Sequence, residues 1–208
     1  MAEPDTERRI LDAAHEVFSE KGTAGARMRE VAERAGVNPA LLHYYYRTKE
    51  RLAAAAFERA AKQFMPQVLD VLRSPASLEA KVREVVDLEL STLMRLPYVP
   101  GYVLSELSHH ADRAAQLAAA AFGEDPRRAA ATVLRVLDDQ IREAAERGEL
   151  RAIPAADFVV NLLSLCIFPF AARPMLSALF GLDEARFRGF IEGRRASLPD
   201  FFMRALAP

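Results

Sequence analysis

The sequence predicts an all-α protein, and three observations lead to that class. Ala, Leu, Arg and Glu recur along the 208 residues while only nine residues are Gly, a composition that favours helices. Apolar residues recur three and four positions apart, and no run alternates apolar with polar residues as a half-buried strand does. Pro, Gly and helix-capping residues separate these periodic segments, so each segment is predicted to be one helix.

The first helix is predicted in the segment TERRILDAAHEVFSEKG. Thr6 can cap its start, and Gly22 can end it in the left-handed conformation. We expect one face of this helix to be buried, because its apolar residues fall on a single stripe. These residues are Ile10, Leu11, Ala14, Val17 and Phe18.

Two short helices follow, and together they suggest a helix-turn-helix. The second helix runs from about Arg27 to Ala35 and stops at Gly36, which can take the positive φ that the turn requires. Asn38 supplies the N-cap of the third helix, which runs from Pro39 to about Tyr45.

Proline, glycine and helix-capping residues divide the remaining chain into eight further helices. The first five are expected over Thr48–Ser74, Ser77–Leu96, Gly101–His110, Asp112–Phe122 and Asp125–Gly148. The sixth starts at Pro154 and contains Cys166, the seventh is a short helix that ends at Gly181, and the eighth runs from Asp183 to Pro199. Pro199 is expected to break or kink the last of these, because proline lacks the amide donor that a helix interior needs.

The net charge of −1 hides a basic segment. Between Arg27 and Arg51 there are six basic and three acidic residues, so this segment carries +3 and the rest of the chain −4. Attraction to phosphate is governed by charge within a Debye length of about 8–10 Å. The whole-chain charge therefore does not argue against nucleic-acid binding.

Other compositional features exclude several classes of protein. The single cysteine, Cys166, rules out an intrachain disulfide and favours a reducing cytoplasm. The N-terminus lacks the apolar core of a signal peptide, and the longest apolar run, Phe158 to Ala172, is too short to span a bilayer. No phosphate loop, nucleophile elbow or paired-metal spacing occurs. We expect a soluble cytoplasmic protein with no membrane partner, no cofactor, no metal and no enzymatic activity.

The stretch from Thr6 to about Leu52 resembles the DNA-binding domain of the TetR family of bacterial transcriptional regulators. The segments ILDAAHEVFSEKG and MREVAERAGVNPALLHYYYRTKERL match the family pattern at nearly every position. The sequence departs from it at Ala26 and Arg27, where many members have two hydroxyl residues, and at Tyr46, where Phe is usual. The resemblance implies an N-terminal three-helix helix-turn-helix domain in residues 1–49. A larger helical ligand-binding and dimerisation domain is expected in residues 50–208.

The resemblance also implies which residues contact a double-stranded DNA operator. The third helix would enter the major groove with its N-terminal residues leading, and Arg29 would make a bidentate contact to guanine. Tyr45 and Lys49 would hold phosphates, and Arg27 would replace the missing hydroxyl contact. For His43, DNA contact and a solvated surface position remain open. The full set is Arg27, Arg29, Asn38, Pro39, Ala40, Leu41, His43, Tyr44, Tyr45 and Lys49.

Helical spacing divides the run of three tyrosines. Leu42 and Tyr46 are four positions apart and share a face, so both are expected in the core. Tyr44 and Tyr45 lie elsewhere on the turn and are expected to contact DNA. Burial of Tyr46 would require a hydrogen-bond partner for its hydroxyl.

A small apolar or amphipathic effector is expected to bind in the middle helices, in a mostly apolar pocket. Position alone suggests that Met65, Met94, Tyr98, Tyr102, Glu106 and His109 line it. The group Glu106, His109 and His110 can serve as pocket polar groups, as a structural pair or, least readily, as metal ligands.

The predicted function is a ligand-responsive transcriptional regulator, a repressor in most of the family, that binds a near-palindromic operator as a homodimer. Gly189 and Gly193 are four apart and allow close approach of helices, within the chain or between two copies. The long fourth helix would transmit the effect of the ligand. The alternatives are a transcriptional activator, a helical adaptor that has lost DNA binding, and an enzyme with a helical core.

Overall fold

The computed structural model describes residues 4–109, 114–123 and 125–208, and these residues form helices joined by short connections, with no strand among them. The predicted all-α class is confirmed. The chain divides into two compact units: unit 1 contains Met1–Gln63 and Arg95–Ala121, and unit 2 contains Phe64–Met94 and Phe122–Pro208. The domain boundary after residue 49, which rests on the sequence motif, stays a prediction.

The helices follow the predicted order with small shifts at their ends. They are α1 (Pro4–Gly25), α2 (Met28–Ala35), α3 (Pro39–Tyr46), α4 (Lys49–Arg73), α5 (Leu78–Arg95), α6 (Val99–His109), α7 (Ala114–Phe122), α8 (Pro126–Glu146), α9 (Ala155–Ala171), α10 (Arg173–Phe180) and α11 (Glu184–Ala205). The predicted end of the sixth helix at His110 and the start of the seventh at Asp112 lie outside the described residues.

Two predictions about α1 are wrong in detail. Thr6 lies inside the helix and is not its cap, because the helix already begins at Pro4. Gly22 does have positive φ, as expected, but its ψ of 167° is extended and not left-handed helical. The chain bends at Gly22 and then makes one further helical turn up to Gly25.

The predicted break at Pro199 is also wrong, since α11 continues to Ala205. Pro199 is buried, and its neighbours Leu198 and Phe202 lie in the core of unit 2. Burial of an apolar side chain such as Phe contributes about 1.5–3 kcal/mol, which is comparable to the ~3 kcal/mol cost of a proline in a helix interior. Packing on both sides of Pro199 therefore offsets its missing amide donor.

Unit 1 is held by α1, which packs against both α2 and α6, and by α3, which packs against α2. The core side chains of this unit come from the predicted stripe of α1, from α2 and α3, and from the first half of α4. They include Ile10, Ala14, Val17, Phe18, Val31, Ala32, Leu42, Leu52 and Ala56. The tight turn between α2 and α3 is therefore fixed on its inner side by apolar contacts.

Unit 2 has one apolar core to which α5, α8, α9 and α11 contribute. Two edge-to-face aromatic pairs lie in it, Phe158 with Phe202 at 5.0 Å and Phe170 with Phe187 at 5.7 Å. No single helix among the residues described is long and apolar enough to cross a membrane; α9 and α10 pass that test only as a pair, bent by 67°.

The core of unit 2 also contains ionisable groups. Burial raises the pKa of Glu89 to about 7 and that of the Cys166 thiol to about 12. The ammonium group of Lys81 donates to the Leu72 carbonyl and to the Gln140 side-chain oxygen, both at 2.7 Å. The expected burial of Cys166 is confirmed, and its high pKa makes it a poor nucleophile.

Candidate DNA-binding surface and effector grooves

The helix-turn-helix is built as the sequence predicts. Gly36 ends α2 with φ 63° and ψ 39°, a left-handed conformation that glycine adopts without strain. The Asn38 side chain caps α3 by accepting a hydrogen bond from the Ala40 amide at 2.8 Å. The guanidinium of Arg9 donates to the carbonyls of Ala35 and Gly36, at 2.6 and 3.1 Å, and so satisfies the end of α2.

The residues predicted to contact DNA lie on the surface of this unit. Tyr45 and Lys49 are half-buried, and the others are exposed: Arg27, Arg29, Asn38, Pro39, Ala40, Leu41, His43 and Tyr44. Leu41 is 39% exposed although it lies between the core residue Leu42 and the capped start of α3. An exposed apolar residue at the start of α3 suits contact with another surface, such as the thymine methyl in a major groove.

The tyrosine run is divided as predicted. Tyr46 is 7% exposed, and its hydroxyl donates to the Glu7 carboxylate at 3.0 Å, which supplies the required partner. Tyr44 is 78% exposed, and Tyr45 lies between them, with its ring edge-on to Tyr44 and stacked on Tyr46. The core role of Tyr46 is confirmed, while the roles of Tyr44 and Tyr45 in DNA contact stay predictions.

Two of the basic residues predicted to contact DNA, Arg27 and Arg29, lie at the start of α2, and both are exposed. The Arg29 Nε donates to the Glu33 carboxylate at 2.8 Å, an exposed pair that contributes only a few tenths of a kcal/mol. Arg29 can therefore leave Glu33 for a base at small cost. At the start of the helix, the backbone amide of Arg27 donates to the Glu30 carboxylate at 3.3 Å, and Arg27 itself is exposed. The neighbouring Ala26 is buried and cannot replace a phosphate-binding hydroxyl.

Lys49 has a structural role that the sequence did not indicate. Its ammonium donates to the carbonyl oxygens of Ala24 and Ala26, at 2.9 and 3.2 Å. Ala24 lies in the last turn of α1 and Ala26 in the turn that follows, so Lys49 fastens the first residue of α4 to the junction between α1 and α2. An ammonium group has three donors, and the third remains for a phosphate oxygen.

Two grooves open on the surface of unit 1, and both are lined by α4 and α6. The narrow groove, of about 300 Å³, also reaches the turn after α1; it is lined by Thr23, Ala24, Lys49, Glu50, Ala53, Tyr102, Ser105 and Glu106. The wide groove, of about 520 Å³, also reaches α7; it is lined by Thr48, Glu50, Arg51, Ala54, Phe57, Glu58, Tyr102, Glu106, Gln116, Leu117 and Ala120. Both linings combine polar with apolar residues, and the expectation of a mostly apolar effector pocket stays a prediction.

Of the residues suggested for an effector pocket, only Tyr102 and Glu106 line these grooves. Tyr98 is buried against Phe18 and hydrogen-bonded to His15, so it belongs to the core of unit 1. Met65 and Met94 belong to unit 2, and the side chain of His109 lies outside the described residues.

Sequence reasoning missed most residues of the groove linings. Phe57 is the clearest omission: its ring packs on that of Tyr102 with centroids 5.6 Å apart. Phe57 follows Ala53 and precedes Ala61 at four-residue spacing, a signal that could have placed it on the face of α4 that meets α6. Among the described residues, no group of three or more His, Cys, Asp or Glu side chains could hold a metal ion.

Residues 10–56 match the sequence profile of the family described as bacterial regulatory proteins, tetR family. The chain is 29% identical over 185 residues to the HTH-type transcriptional repressor SCO4008 of Streptomyces coelicolor, and the match covers 86% of each chain. It is 27% identical over 188 residues to the HTH-type transcriptional repressor NicS of Pseudomonas putida, covering 86% of this chain and 82% of that one. These relatives match both the helix-turn-helix and the helices behind it.

Solved structures show the same fold over nearly the whole chain. A protein of unknown function from Rhodococcus sp. RHA1 superposes with a TM-score of 0.63 at 17% identity, covering 98% of this chain and 96% of that one. A mutant of the regulator HlyIIR superposes with a TM-score of 0.58 at 20% identity, covering 100% and 98%. The capped start of α3, the matching profile over residues 10–56 and the relatives that match along most of the chain together support a regulator of the TetR family.

Proposed function

We propose that the protein is a repressor that binds a near-palindromic operator as a homodimer and is released from it by a small molecule. The observation that carries the proposal is the exposed N-terminal face of α3, with Leu41 and Tyr44 outward while Leu42 and Tyr46 anchor the helix. A helix held this way can enter a major groove without unfolding any of its own core. Two copies would place their α3 helices about 34–36 Å apart, one turn of DNA.

The homodimer is supported by an unfilled face on α11. Gly189 and Gly193 are exposed, and a Cβ atom at either would meet no described atom within 4 Å, so close packing of these glycines within the chain is excluded among the described residues. Ser197, Phe201 and Arg204 continue the same face and border a groove of about 490 Å³. Phe201 is 61% exposed, and Val160 and Phe168 on α9 are exposed as well. Such apolar surface suits a second copy.

Repression is favoured over activation by the relatives that match along most of the chain, since SCO4008 and NicS both bear the name of repressors. The activator FasR of Mycolicibacterium smegmatis is 34% identical, but the match covers only 40% of this chain and 39% of that one. The family supports a regulator rather than an enzyme, and a place in the cytoplasm, where operator DNA lies.

The effector would act from the grooves of unit 1. Lys49 lines the narrow groove, and its ammonium also donates to the carbonyls of Ala24 and Ala26 at the junction between α1 and α2. The same side chain would therefore contact both the ligand and the helices that bind DNA. A ligand that binds better when this junction is displaced lowers DNA affinity by its coupling free energy, typically about 1–3 kcal/mol.

A gel-shift titration with DNA from upstream of its own and neighbouring genes tests this function. We expect a shift that weakens as salt rises, because phosphate contacts release counterions. Tyr44→Ala should weaken it, while Arg188→Ala, an exposed substitution on α11, serves as control. A shift insensitive to salt, or none at all, would support the adaptor without DNA binding and contradict the repressor.

A further inference from the structure

We infer that Arg9 is a positioning residue for α3, one that holds the turn between α2 and α3 and thereby sets operator affinity without contacting DNA, which rests on the proposed function. Arg9 lies on α1, outside the set of residues predicted to contact DNA. One nitrogen of its guanidinium, Nη2, donates to the carbonyl oxygen of Ala35 at 2.6 Å and to that of Gly36 at 3.1 Å. Because Nη2 carries two hydrogens, each carbonyl receives one of them.

The backbone satisfies only the inner part of this turn. The amide of Gly36 donates to the Glu33 carbonyl at 3.2 Å, and the amide of Val37 donates to the Ala32 carbonyl at 3.0 Å. Among the described residues, no backbone amide donates to the carbonyl of Ala35 or Gly36. The last carbonyls of a helix have no partner within the helix, and here the guanidinium supplies one from another helix.

The charge and the position of Arg9 suit this role. The C-terminal end of a helix carries partial negative charge, so a cation beside the end of α2 is favourable. The guanidinium lies so close to the turn that a Cβ atom on Gly36 would be 3.0 Å from Nη2. Glycine at this position therefore leaves room for Arg9 as well as allowing the positive φ of 63°. Ile10, the next residue of α1, is fully buried and anchors this part of α1 in the core of unit 1.

The turn that Arg9 holds determines where α3 begins. Asn38 caps α3 directly after the turn. The next residues are those predicted to enter the major groove, Pro39, Ala40 and Leu41. Contacts to base edges require α3 at a defined depth and angle in the groove, whereas attraction to phosphates depends mainly on charge. Release of the turn should therefore weaken binding to the operator more than binding to random DNA.

Gel-shift titrations of two arginine variants of the full chain test this inference. The probes are the shortest duplex that retains the strongest shift and a random duplex of the same length. We expect Arg9→Ala to lower affinity for the first duplex by about tenfold, or about 1.4 kcal/mol, and affinity for the random duplex by less than about threefold. Arg8→Ala is the matched control, because Arg8 is the neighbouring arginine of α1 and its side chain pairs with the exposed Asp5. It should change both affinities by less than about threefold, although it removes the same charge.

Two further readouts separate positioning of α3 from direct contact with DNA. Arg9→Lys should bring operator affinity to within about threefold of wild type, because an ammonium can also donate to two carbonyls, as that of Lys49 does. The salt slope of Arg9→Ala should equal that of wild type, whereas loss of a phosphate contact lowers it by about one unit. A lower salt slope, equal losses on both duplexes, an equal loss in Arg8→Ala, or no rescue by Arg9→Lys would overturn the inference.

Amide hydrogen exchange separates this outcome from that of the proposed function, because it needs no DNA. The amide of Val37, which closes the turn, should exchange about tenfold faster in Arg9→Ala than in wild type and at an unchanged rate in Arg8→Ala. Unchanged exchange in Arg9→Ala would overturn the inference even where the wild type binds DNA. Faster exchange in a chain that gives no DNA shift would contradict the repressor and leave the turn-holding role of Arg9 in place. If Arg9→Ala fails to fold by circular dichroism, Arg9→Gln, which loses the charge and keeps an amide donor, is held to the same outcomes.

Discussion

The imidazole of His15 in α1 is hydrogen-bonded through Nδ1 to the hydroxyl of Tyr98, which lies 83 residues later, just before α6. Burial lowers the pKa of His15, and the nearby Arg59 lowers it further, which favours the neutral form of the ring. Tyr98 also packs on Phe18 with ring centroids 5.5 Å apart. The first helix of the DNA-binding motif is thereby tied to the helix that lines both grooves.

Removal of this hydroxyl should destabilise the chain. Tyr98→Phe keeps the ring against Phe18 but leaves His15 without its partner, and we expect a loss of about 1 kcal/mol in unfolding free energy. Urea denaturation followed by circular dichroism measures it. Tyr44→Phe, at an exposed tyrosine, is the control and should change the free energy by less than about 0.5 kcal/mol. Equal losses in both variants would show that the hydrogen bond does not stabilise the fold.

Arg29 and Lys49 should differ in their effects on DNA binding. Arg29→Ala should relax base preference, because a bidentate contact to guanine discriminates by about 1–3 kcal/mol. Lys49→Ala should weaken binding to every sequence and lower the salt slope by about one unit. It should also lower thermal stability, since two carbonyls lose their donor. Competition between operator and random DNA at several salt concentrations measures these effects, and equal loss of specific and random binding in both variants would contradict the assignment.

Tyr46 should matter for stability and not directly for DNA. Tyr46→Phe removes the hydrogen bond to Glu7 at 3.0 Å, and we expect a loss of about 0.5–1.5 kcal/mol in unfolding free energy with unchanged operator affinity. Tyr45→Phe, on the half-buried neighbour, should instead lower operator affinity with little change in stability. Denaturation and gel-shift titration of both variants separate the two roles. Reversed results would mean that the division of the tyrosine run is wrong.

The glycines of α11 should be sensitive to charge if they lie between two copies. Gly193→Glu meets open space within the chain, so the monomer should fold, while two buried like charges would oppose a dimer. Analytical ultracentrifugation should show a shift to monomer. Arg188→Glu, also exposed on α11, controls for the charge. An intact dimer in the Gly193 variant would exclude this face from the interface.

Glu89 makes stability depend on pH. Burial raises the pKa of Glu89 from 4.5 to about 7 in the folded chain. As the pH rises, the unfolded chain therefore loses this proton before the folded chain does, and the free energy of unfolding falls between pH 4.5 and about pH 7. Glu89→Gln removes this loss, so the variant should be more stable above pH 7, by up to about 3 kcal/mol at 1.36 kcal/mol per pKa unit. Unfolding titrations from pH 4 to 8 test it, with the exposed Glu84→Gln as control. Parallel curves for wild type and Glu89→Gln would refute the assignment.

Local rules were sufficient for the helix-turn-helix. The cap at Asn38, the left-handed Gly36 and the four-residue spacing of Leu42 and Tyr46 depend only on neighbouring residues, and each appears in the structure as predicted. The extension of α11 through Pro199 did not follow from local rules, because core packing of its neighbours outweighed the missing donor.

By itself, the sequence determined the helical class, the order of the elements and the family resemblance, since periodicity, capping and turn residues act over a few positions. Tertiary structure decided what lies together across long separations. It joined His15 to Tyr98 and Lys49 to Ala24, and it set Phe57 against Tyr102 beside two grooves. These contacts depend on how whole helices pack, a property that no local pattern encodes.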